Sequence, residues 1–369
     1  MSANDAFHIA VLPGDGIGHE VMQPCIAVLE AAAARVGGFS FRFDTHQAGA
    51  IHYRDHGIAL PKSALDTSRR ADAILLGAMG WPAIRYPDGT EIAPQLDLRF
   101  EFGLFAGVRP VRTLPSMPAI LADKRAAHLD FVIIRESTEG LFASRGKGVV
   151  TDDREARDTM VITRDVCEPL FDFSFRLAQQ RKARGGKGIL ACVDKANVFA
   201  SFAFFRKVFN ERAGLFPDIR ADYAYVDATA LDMVRRPWAL DVLVTENMFG
   251  DILSDLGAGL MGGMGFAPSA DIGAEHAVFQ PCHGTAPDIA GQSKANPTAM
   301  ILSGAMMLDW LGEKHGRKEA LQAAELIRAA VDRAFAEGLK PYEIGGTDGT
   351  FEVARHVLEA MSQKTLEVA

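Results

Sequence analysis

The sequence predicts an α/β protein with parallel strands flanked by helices, arranged as two domains. Three observations carry this. Short, largely apolar runs recur and read as strands covered on both faces, as in ADAILLG (71–77) and LDFVIIR (129–135). Longer segments with apolar residues at helical spacing alternate with them, the order that builds a parallel sheet. The 369 residues exceed one ordinary core, and at roughly 100–200 residues per domain two are expected.

Taken in order, residues 7–12 read as a buried strand, PGDGIG (13–18) as a turn, and 19–35 as a helix. Val21, Ile26, Val28 and Leu29 form that helix's apolar face, and Gly37-Gly38 ends it. Residues 39–44 and 71–77 read as the next strands. Further along, 129–135, 187–193, 221–226 and 239–245 read as strands, with helices over 167–184 and 200–213. The apolar, Gly-rich stretch 252–266 is too long for a strand and suits a buried helix. Residues 298–311 and 318–337 read as two closing helices. No repeat or low-complexity linker marks a boundary. The chain is read as leaving its first domain near 105 and re-entering it near 262, so that 1–104 and 262–369 form one discontinuous domain and 105–261 the other.

Composition narrows the function. With 48% hydrophobic and 23% charged residues the chain is neither collagen, coiled coil nor disordered. Its 39 Lys+Arg against 47 Asp+Glu leave a net −8, which argues against nucleic acid as the main partner but leaves room for a local basic pocket. Cys25, Cys167, Cys192 and Cys282 lie far apart without CxxC spacing, so buried, reduced thiols and a cytoplasmic address are expected. No run reaches the roughly 18 apolar residues of a membrane span. The N-terminus has no basic region ahead of a long apolar one, so no leader is expected either.

Several motifs could carry chemistry. LPGDGIG places glycines at 14, 16 and 18, which is not the G-x-G-x-x-G dinucleotide fingerprint. Such a turn either presents N–H groups to an anion or is purely structural. Asp251 and Asp255 in GDILSD are spaced i, i+4, on one helix face about 6 Å apart. They are either solvated acids or ligands for Mg²⁺ or Mn²⁺, and the apolar surroundings (Leu253, Leu256, Leu260) favour buried acids with a purpose. Arg99, Arg109 and Arg135 are either surface ion-pair members or guanidinium forks for carboxylates. Lys195 follows a strand in VDKANV, where an exposed loop lysine and a pocket acid/base are both open; Asp194 and Asn197 are candidate supports. HGTAPDIAG (283–291) and ANPT (295–298) form a polar loop, an Ω-loop or a ligand wrap whose acid could take ribose hydroxyls.

Together, in this order, PGDGIG, LDLR…VRP, IIRESTEG, VDKAN, VDA, GDILSD and HGTAPDIAG…ANPTA closely resemble the β-decarboxylating dehydrogenases, from about residue 8 to 350. That family includes isopropylmalate, isocitrate, homoisocitrate, tartrate and D-malate dehydrogenases, and the chain is most similar to isopropylmalate dehydrogenase-like members. The resemblance implies a two-domain fold with parallel or mixed sheets flanked by helices. The discontinuous domain would bind the cofactor, and the other would bind substrate and dimerise. It implies oxidation of a (2R)-2-hydroxy acid bearing a 3-carboxylate, followed by loss of CO₂. Arg99, Arg109 and Arg135 would clamp the substrate's carboxylates. Asp251 and Asp255, with Asp227 of VDA from the other subunit, would hold Mg²⁺ or Mn²⁺. Lys195, also from the other subunit, would be the general base, so that a homodimer with shared sites, or a tetramer of such dimers, is expected. Asp288 and Ile289 stand where NADP-dependent members carry Lys and Tyr, which implies NAD. His283, Gly284, Ala286, Asn296 and Ile17 match the remaining cofactor pocket.

Departures bear on the substrate. Phe142 replaces the family's tyrosine seven residues after Arg135, and phenylalanine cannot donate a proton to the enol. Glu139-Gly140 stands where bacterial isopropylmalate enzymes usually read Gly-Gly. Gln280 stands where the family typically has Glu, close to the nicotinamide. Specificity is expected in residues 91–96, just before Arg99. Isopropylmalate enzymes offer paired leucines there; this chain has Gln95 and Leu96, and no Ser-Asn pair of the isocitrate type. Tartrate, D-malate and homoisocitrate are the alternative substrates. A catalytically weak regulatory paralogue is the alternative of another class.

Overall fold

The computed structural model describes residues 6–363; the readings that touch 1–5 and 364–369 lie there outside the described residues. The chain opens with strand β1 (Ala6–Gly14), helix α1 (Ile17–Val36), β2 (Ser40–Thr45), the short helices α2 (Ala50–His56) and α3 (Lys62–Arg70), β3 (Ala73–Ala78) and α4 (Pro94–Glu101). β4 (Ala106–Arg112), β5 (Asp130–Glu136), the hairpin β6 (Val149–Thr151) and β7 (Glu155–Arg157), α5 (Arg164–Ala183), β8 (Ile189–Asp194), α6 (Ala200–Ala213), β9 (Arg220–Tyr225), α7 (Val226–Arg235), β10 (Val242–Thr245) and α8 (Asn247–Met261) follow. β11 (Pro268–Ile272), β12 (Ala277–Pro281), α9 (Thr298–His315), α10 (Lys318–Ala336) and α11 (Thr350–Ser362) complete it.

One ten-stranded sheet runs in the order β2-β1-β3-β12-β11-β4-β5-β10-β8-β9. It is mixed, one of the two forms the resemblance implies, parallel or mixed. β2, β1, β3 and β12 are mutually parallel, as are β5, β10, β8 and β9. The two blocks are joined by antiparallel pairings of β11 with β12 and β4, and of β4 with β5. The joint sets the register of the site: Asp271 of β11 lies opposite Gly107 of β4, which lies opposite Arg135 of β5.

Buried side chains cover both sheet faces. α1, α9, α10 and α11 bury apolar stripes over the first block, and α9 is buried along most of its length. Over the second block the rings of Phe171 and Phe175 from α5 meet Phe205 and Phe209 from α6, with centroids 4.7 Å apart for Phe171–Phe205 and 5.3 Å for Phe175–Phe209. Aromatic contacts of this kind add specific geometry to the burial of area.

Element bounds differ from expectation where caps decide them. The helix expected over 252–266 is α8, which begins five residues earlier because the Glu246 carboxylate accepts from the N–H groups of Met248 and Phe249. It ends at Gly262, whose φ of +108° suits glycine alone. The strand expected over 239–245 is only β10, because Pro237–Ala239 forms a 3-10 turn. The strand expected over 221–226 gives way at Val226 to α7. No described helix is long and apolar enough to cross a membrane. All four cysteines are free; Cys25, Cys167 and Cys192 are buried and Cys282 is half-buried.

Candidate functional site

A cleft of about 410 Å³ opens where the ends of β3 and β12 meet α4, β5 and α8. Arg99, Arg109 and Arg135 line it with Asp251 and Asp255, so the three arginines and two acids singled out in the sequence converge. Gln95, Leu96, Phe142, Gln280, His283 and Gly284 line it as well.

All three arginines are buried, and their counter-charge is a residue the sequence reading missed. Asp271 accepts from Arg99 Nε at 3.0 Å and from an Arg109 guanidinium nitrogen at 3.0 Å. Gln280 Nε2 donates to the same carboxylate at 2.8 Å. Burial alone would push the Asp271 carboxyl up, but the guanidiniums of Arg99, Arg109 and Arg135 outweigh it and hold the group at about 2. The available signal was an acid inside the apolar run PSADI, in a chain with three arginines to neutralise. Arg109 also donates to the Ala270 carbonyl at 3.1 Å, so it is the most firmly fixed of the three. Among the described residues the terminal nitrogens of Arg99 have no hydrogen-bond partner.

Arg135 is aimed from the end of β5 by α8. Its Nε donates to Asn247 Oδ1 at 2.9 Å, and a terminal nitrogen donates to Asp251. The Phe142 ring lies 5.1 Å from its guanidinium carbon. Burial, then repulsion from Arg99, lowers the guanidinium to about 10, so Arg135 stays charged at neutral pH. α8 comes this close because residue 250 is glycine: a Cβ there would lie 2.6 Å from Arg135 Cβ.

Asp251 and Asp255 project from one face of α8 into the cleft. Burial, then the neighbouring Asp251, raises the Asp255 carboxyl. Hard carboxylate oxygens of this kind fit Mg²⁺ or Mn²⁺. The described residues contain no group of three His, Cys, Asp or Glu placed to hold a metal. Asp227 and Lys195 lie outside this cleft, ion-paired to each other beside a separate hollow lined by Asn197, Arg206 and Tyr225. The Lys195 ammonium lowers the Asp227 carboxyl. Asp194 is buried and supports this turn: it accepts from Arg206 at 2.6 and 2.7 Å and from the Ala196 N–H at 2.8 Å.

Several N–H groups of the glycine turn are used within the fold. Ile17 N–H donates to Thr285 O at 3.0 Å, and Asp15 N–H to Ala78 O at 2.7 Å. The Asp15 carboxylate accepts from the N–H groups of Ala50, Ile51 and Gly80. Gly16 has φ +53°, and a Cβ there would collide with Thr285 O. The turn therefore props the loop that carries His283 to Gly291. Ala286 in that loop is a non-glycine residue at φ +38°, a strained backbone of the kind found at ligand clamps. His283 Nδ1 lies 2.9 Å from Gly284 O, while its Nε2 is buried without a partner. Burial lowers its imidazole, leaving a neutral ring with an open acceptor that suits a cofactor hydroxyl. Asp288 is exposed beside half-buried Ile289. Asn296 is not open: its amide donates to Glu343 and its oxygen accepts from Thr298 N–H and Oγ1, fixing the start of α9.

A profile of the isocitrate/isopropylmalate dehydrogenase family matches residues 8–359. The chain is similar to the 3-isopropylmalate/3-methylmalate dehydrogenase of Methanocaldococcus jannaschii, 40% identical over 96% of this chain and 99% of that protein. The 3-isopropylmalate dehydrogenase of Moorella thermoacetica is 41% identical over 97% of this chain and 99% of its own. Its fold matches isocitrate dehydrogenase from Methylococcus capsulatus with a TM-score of 0.83 and 35% identity, covering 97% of this chain and 100% of that one. It also matches a beta-decarboxylating dehydrogenase from Thermococcus kodakarensis, with a TM-score of 0.78, 35% identity and 96% of each chain covered.

Proposed function

The chain belongs to the isocitrate/isopropylmalate dehydrogenase family and is an oxidoreductase acting on CH–OH, and from that premise we propose NAD- and divalent-metal-dependent oxidation, then decarboxylation, of a 3-isopropylmalate-type hydroxy acid. The substrate class is a (2R)-2-hydroxy acid bearing a 3-carboxylate. The observation that carries this is the meeting of three buried arginines with two carboxylates of α8 in one cleft.

The chain's own residues divide the work. Arg99 and Arg135 offer guanidinium nitrogens to the two carboxylates of a malate backbone, and Arg109 fixes the strand between them. Asp251 and Asp255, joined by Asp227 of a second copy, form the cation site. When bound, Mg²⁺ or Mn²⁺ would supply Lewis acidity and NAD would supply a hydride acceptor. Lys195 of a second copy takes the hydroxyl proton. Phe142 holds no proton, so the enol carbon is protonated by water or another donor.

His283, Gly284, Ala286, Asp288, Ile289, Asn296 and Ile17 form or support the NAD pocket in this reading. An Asp288 carboxylate repels a 2′-phosphate and accepts from ribose hydroxyls, which favours NAD over NADP. Residues 1–104 and 262–369 form the cofactor-binding domain, and 105–261 the substrate and dimerisation domain. The enzyme works in the cytoplasm as a homodimer, with pairing into tetramers open to it.

A second reading, turnover of tartrate, D-malate or homoisocitrate, is favoured by Gln95 standing beside Leu96 in the cleft wall. A regulatory paralogue is disfavoured, because Lys195, Asp227, Asp251 and Asp255 are all kept. The test is NADH formation with Mn²⁺ against 3-isopropylmalate, isocitrate, homoisocitrate, tartrate and D-malate, with CO₂ measured separately and NADP run in parallel. Oxidation of at least one acid with NAD preferred is expected. Preference for NADP would remove the adenosine-pocket assignment, and no oxidation of any acid would remove the function.

A further inference from the structure

We infer that a cavity behind the sheet is a second ligand site, which takes a small carboxylate with an apolar body and, when filled, changes the hold of the arginine cleft on its hydroxy acid. The cavity measures about 310 Å³ and lies between α5 and α9. Small-molecule pockets run from roughly 300 to 1,000 Å³. Its floor is built from β4, β11 and β12, the strands where the two parallel blocks of the sheet join. Val108, Ala270 and Phe279 stand in one row across that floor, since Ala270 lies opposite both of the others.

Successive residues of a strand point to opposite faces of the sheet. Here each residue of the row is followed by one that serves the arginine cleft: Val108 by Arg109, Ala270 by Asp271, and Phe279 by Gln280. Those three neighbours are bonded to one another. Asp271 accepts from Arg109 at 3.0 Å and from Gln280 at 2.8 Å. An occupant that presses on the cavity floor therefore bears on the same three backbones that hold the arginine cluster. Close-packed strands pass such a shift on because little free space remains to absorb it.

The lining sets the chemistry of the ligand. The floor is buried and apolar, and Trp310 of α9 forms a wall, its ring centroid 6.1 Å from that of Phe279. An apolar cavity gives water few partners and favours an apolar occupant. The rim is charged. Arg176, Gln180 and Arg184 follow at four-residue spacing along α5 and its C-terminal cap, so they share one edge. None of the three has a hydrogen-bond or ion-pair partner among the described residues. The facing edge on α9 carries Asp309 and Glu313. Arg328 holds Asp309 with two bonds of 2.8 and 2.9 Å, and it also holds Glu325, which feels the charge of Arg184, at 2.9 Å. Glu313 is thus the one open acid on the rim against two open guanidiniums. Lys314 adds an ammonium 4.4 Å from the Trp310 ring centroid. This balance selects an anion over a cation, and guanidiniums suit a carboxylate.

The probe is hexanoate, titrated calorimetrically into the whole protein without substrate. Acetate, 1-hexanol and hexylammonium separate the need for an apolar body, for charge and for its sign. The expected result is one site per chain with a Kd of about 1 mM or tighter for hexanoate, and binding at least about tenfold weaker for the other three. Hexanoate should also change the tryptophan emission, and Trp310→Phe should abolish that change. Two variants locate the site. Arg176→Gln with Arg184→Gln alters exposed residues only, and Leu177→Trp fills the cavity from the α5 wall. Each should weaken hexanoate about tenfold while leaving activity without hexanoate unchanged. Coupling is read as KM for the hydroxy acid oxidised best. Saturating hexanoate should change it about fivefold or more and then reach a plateau, and the acid should change hexanoate affinity by the same factor. No binding, equal binding of hexylammonium, or binding that survives both variants overturns the site. A KM that stays constant, or that rises without a plateau as for competition in the arginine cleft, overturns the coupling. The coupling rests on the proposed function: if no acid is oxidised both fall, while calorimetry still decides the site.

Discussion

Guanidiniums packed into one cleft repel one another, and Asp271 is the group that lets Arg99 and Arg109 lie buried side by side. Removing one member of a buried, hydrogen-bonded charge cluster leaves the others uncompensated. Asp271→Ala is expected to lower stability by about 3–5 kcal/mol, measured as a fall in the urea midpoint at unchanged slope. The pH dependence has a definite sign. The folded-state carboxyl is held at about 2, below its ordinary value, so its contribution is complete above about pH 4 and lost as pH falls towards 2. Across that window the stability difference between wild type and Asp271→Asn should shrink; a constant difference would show that the carboxylate charge is not what matters. Gln280 donates to this acid and stands where the resemblance expects an acid. Asp271→Asn combined with Gln280→Glu should therefore recover more stability than Asp271→Asn alone. Phe142 gives a second prediction. Its ring lines the cleft against Arg135 but carries no proton. Phe142→Tyr should raise kcat for formation of the decarboxylated ketone, by about tenfold if enol protonation limits the wild type, because that proton is added after CO₂ has left. An unchanged kcat assigns that proton to another donor.

At the scale of elements, the site depends on how closely α8 approaches β5. Gly250 permits it, since a methyl group there would press on Arg135 at 2.6–2.7 Å. Gly250→Ala is expected to destabilise by about 1–3 kcal/mol through overpacking. It should also weaken Mn²⁺ binding measured calorimetrically, because the helix that shifts carries Asp251 and Asp255. Unchanged metal affinity would mean that α8 adjusts without moving its acids. Much of this scale was legible in the sequence. The runs that form β1, β3, β5 and β8 have apolar cores (IAVL, AILLGA, FVII, ILACV), as strands buried on both faces should. β4 was hidden by Pro110 and by arginines that sequence reasoning assigns to a surface or a ligand. The start of α8 was misplaced because a glutamate caps it, outside the usual capping residues. Motif spacing brought Arg99, Arg109, Arg135, Asp251 and Asp255 to one cleft. Asp271 escaped, because a lone acid in a five-residue strand has no pattern of its own; only the register of β11 against β4 reveals its partners.

At the scale of the whole molecule, the chain separates its candidate machinery into two places. The arginines, Asp251 and Asp255 line one cleft, while Lys195 and Asp227 pair with each other outside it. If two copies form each site, Lys195 and Asp227 of one copy complete the cleft of the other, and neither half acts alone. This arrangement predicts complementation between two inactive proteins. Lys195→Ala removes the base from the site it serves, and Asp251→Asn removes a cation ligand from the other kind of half. Each variant alone should be nearly inactive. In a mixed dimer, one site receives both substitutions and the other receives neither. Co-expressing the two variants in equal amounts should make half of the dimers mixed, each with one intact site, and restore about a quarter of wild-type activity. Urea profiles of the single variants would establish that each folds, so that silence cannot be mistaken for unfolding. Activity regained in this proportion requires the lysine and the α8 acids to come from different chains. Folded variants that form mixed dimers yet regain nothing would place Lys195 and Asp251 in one chain's own site, and would remove the shared-site reading of Lys195 and Asp227.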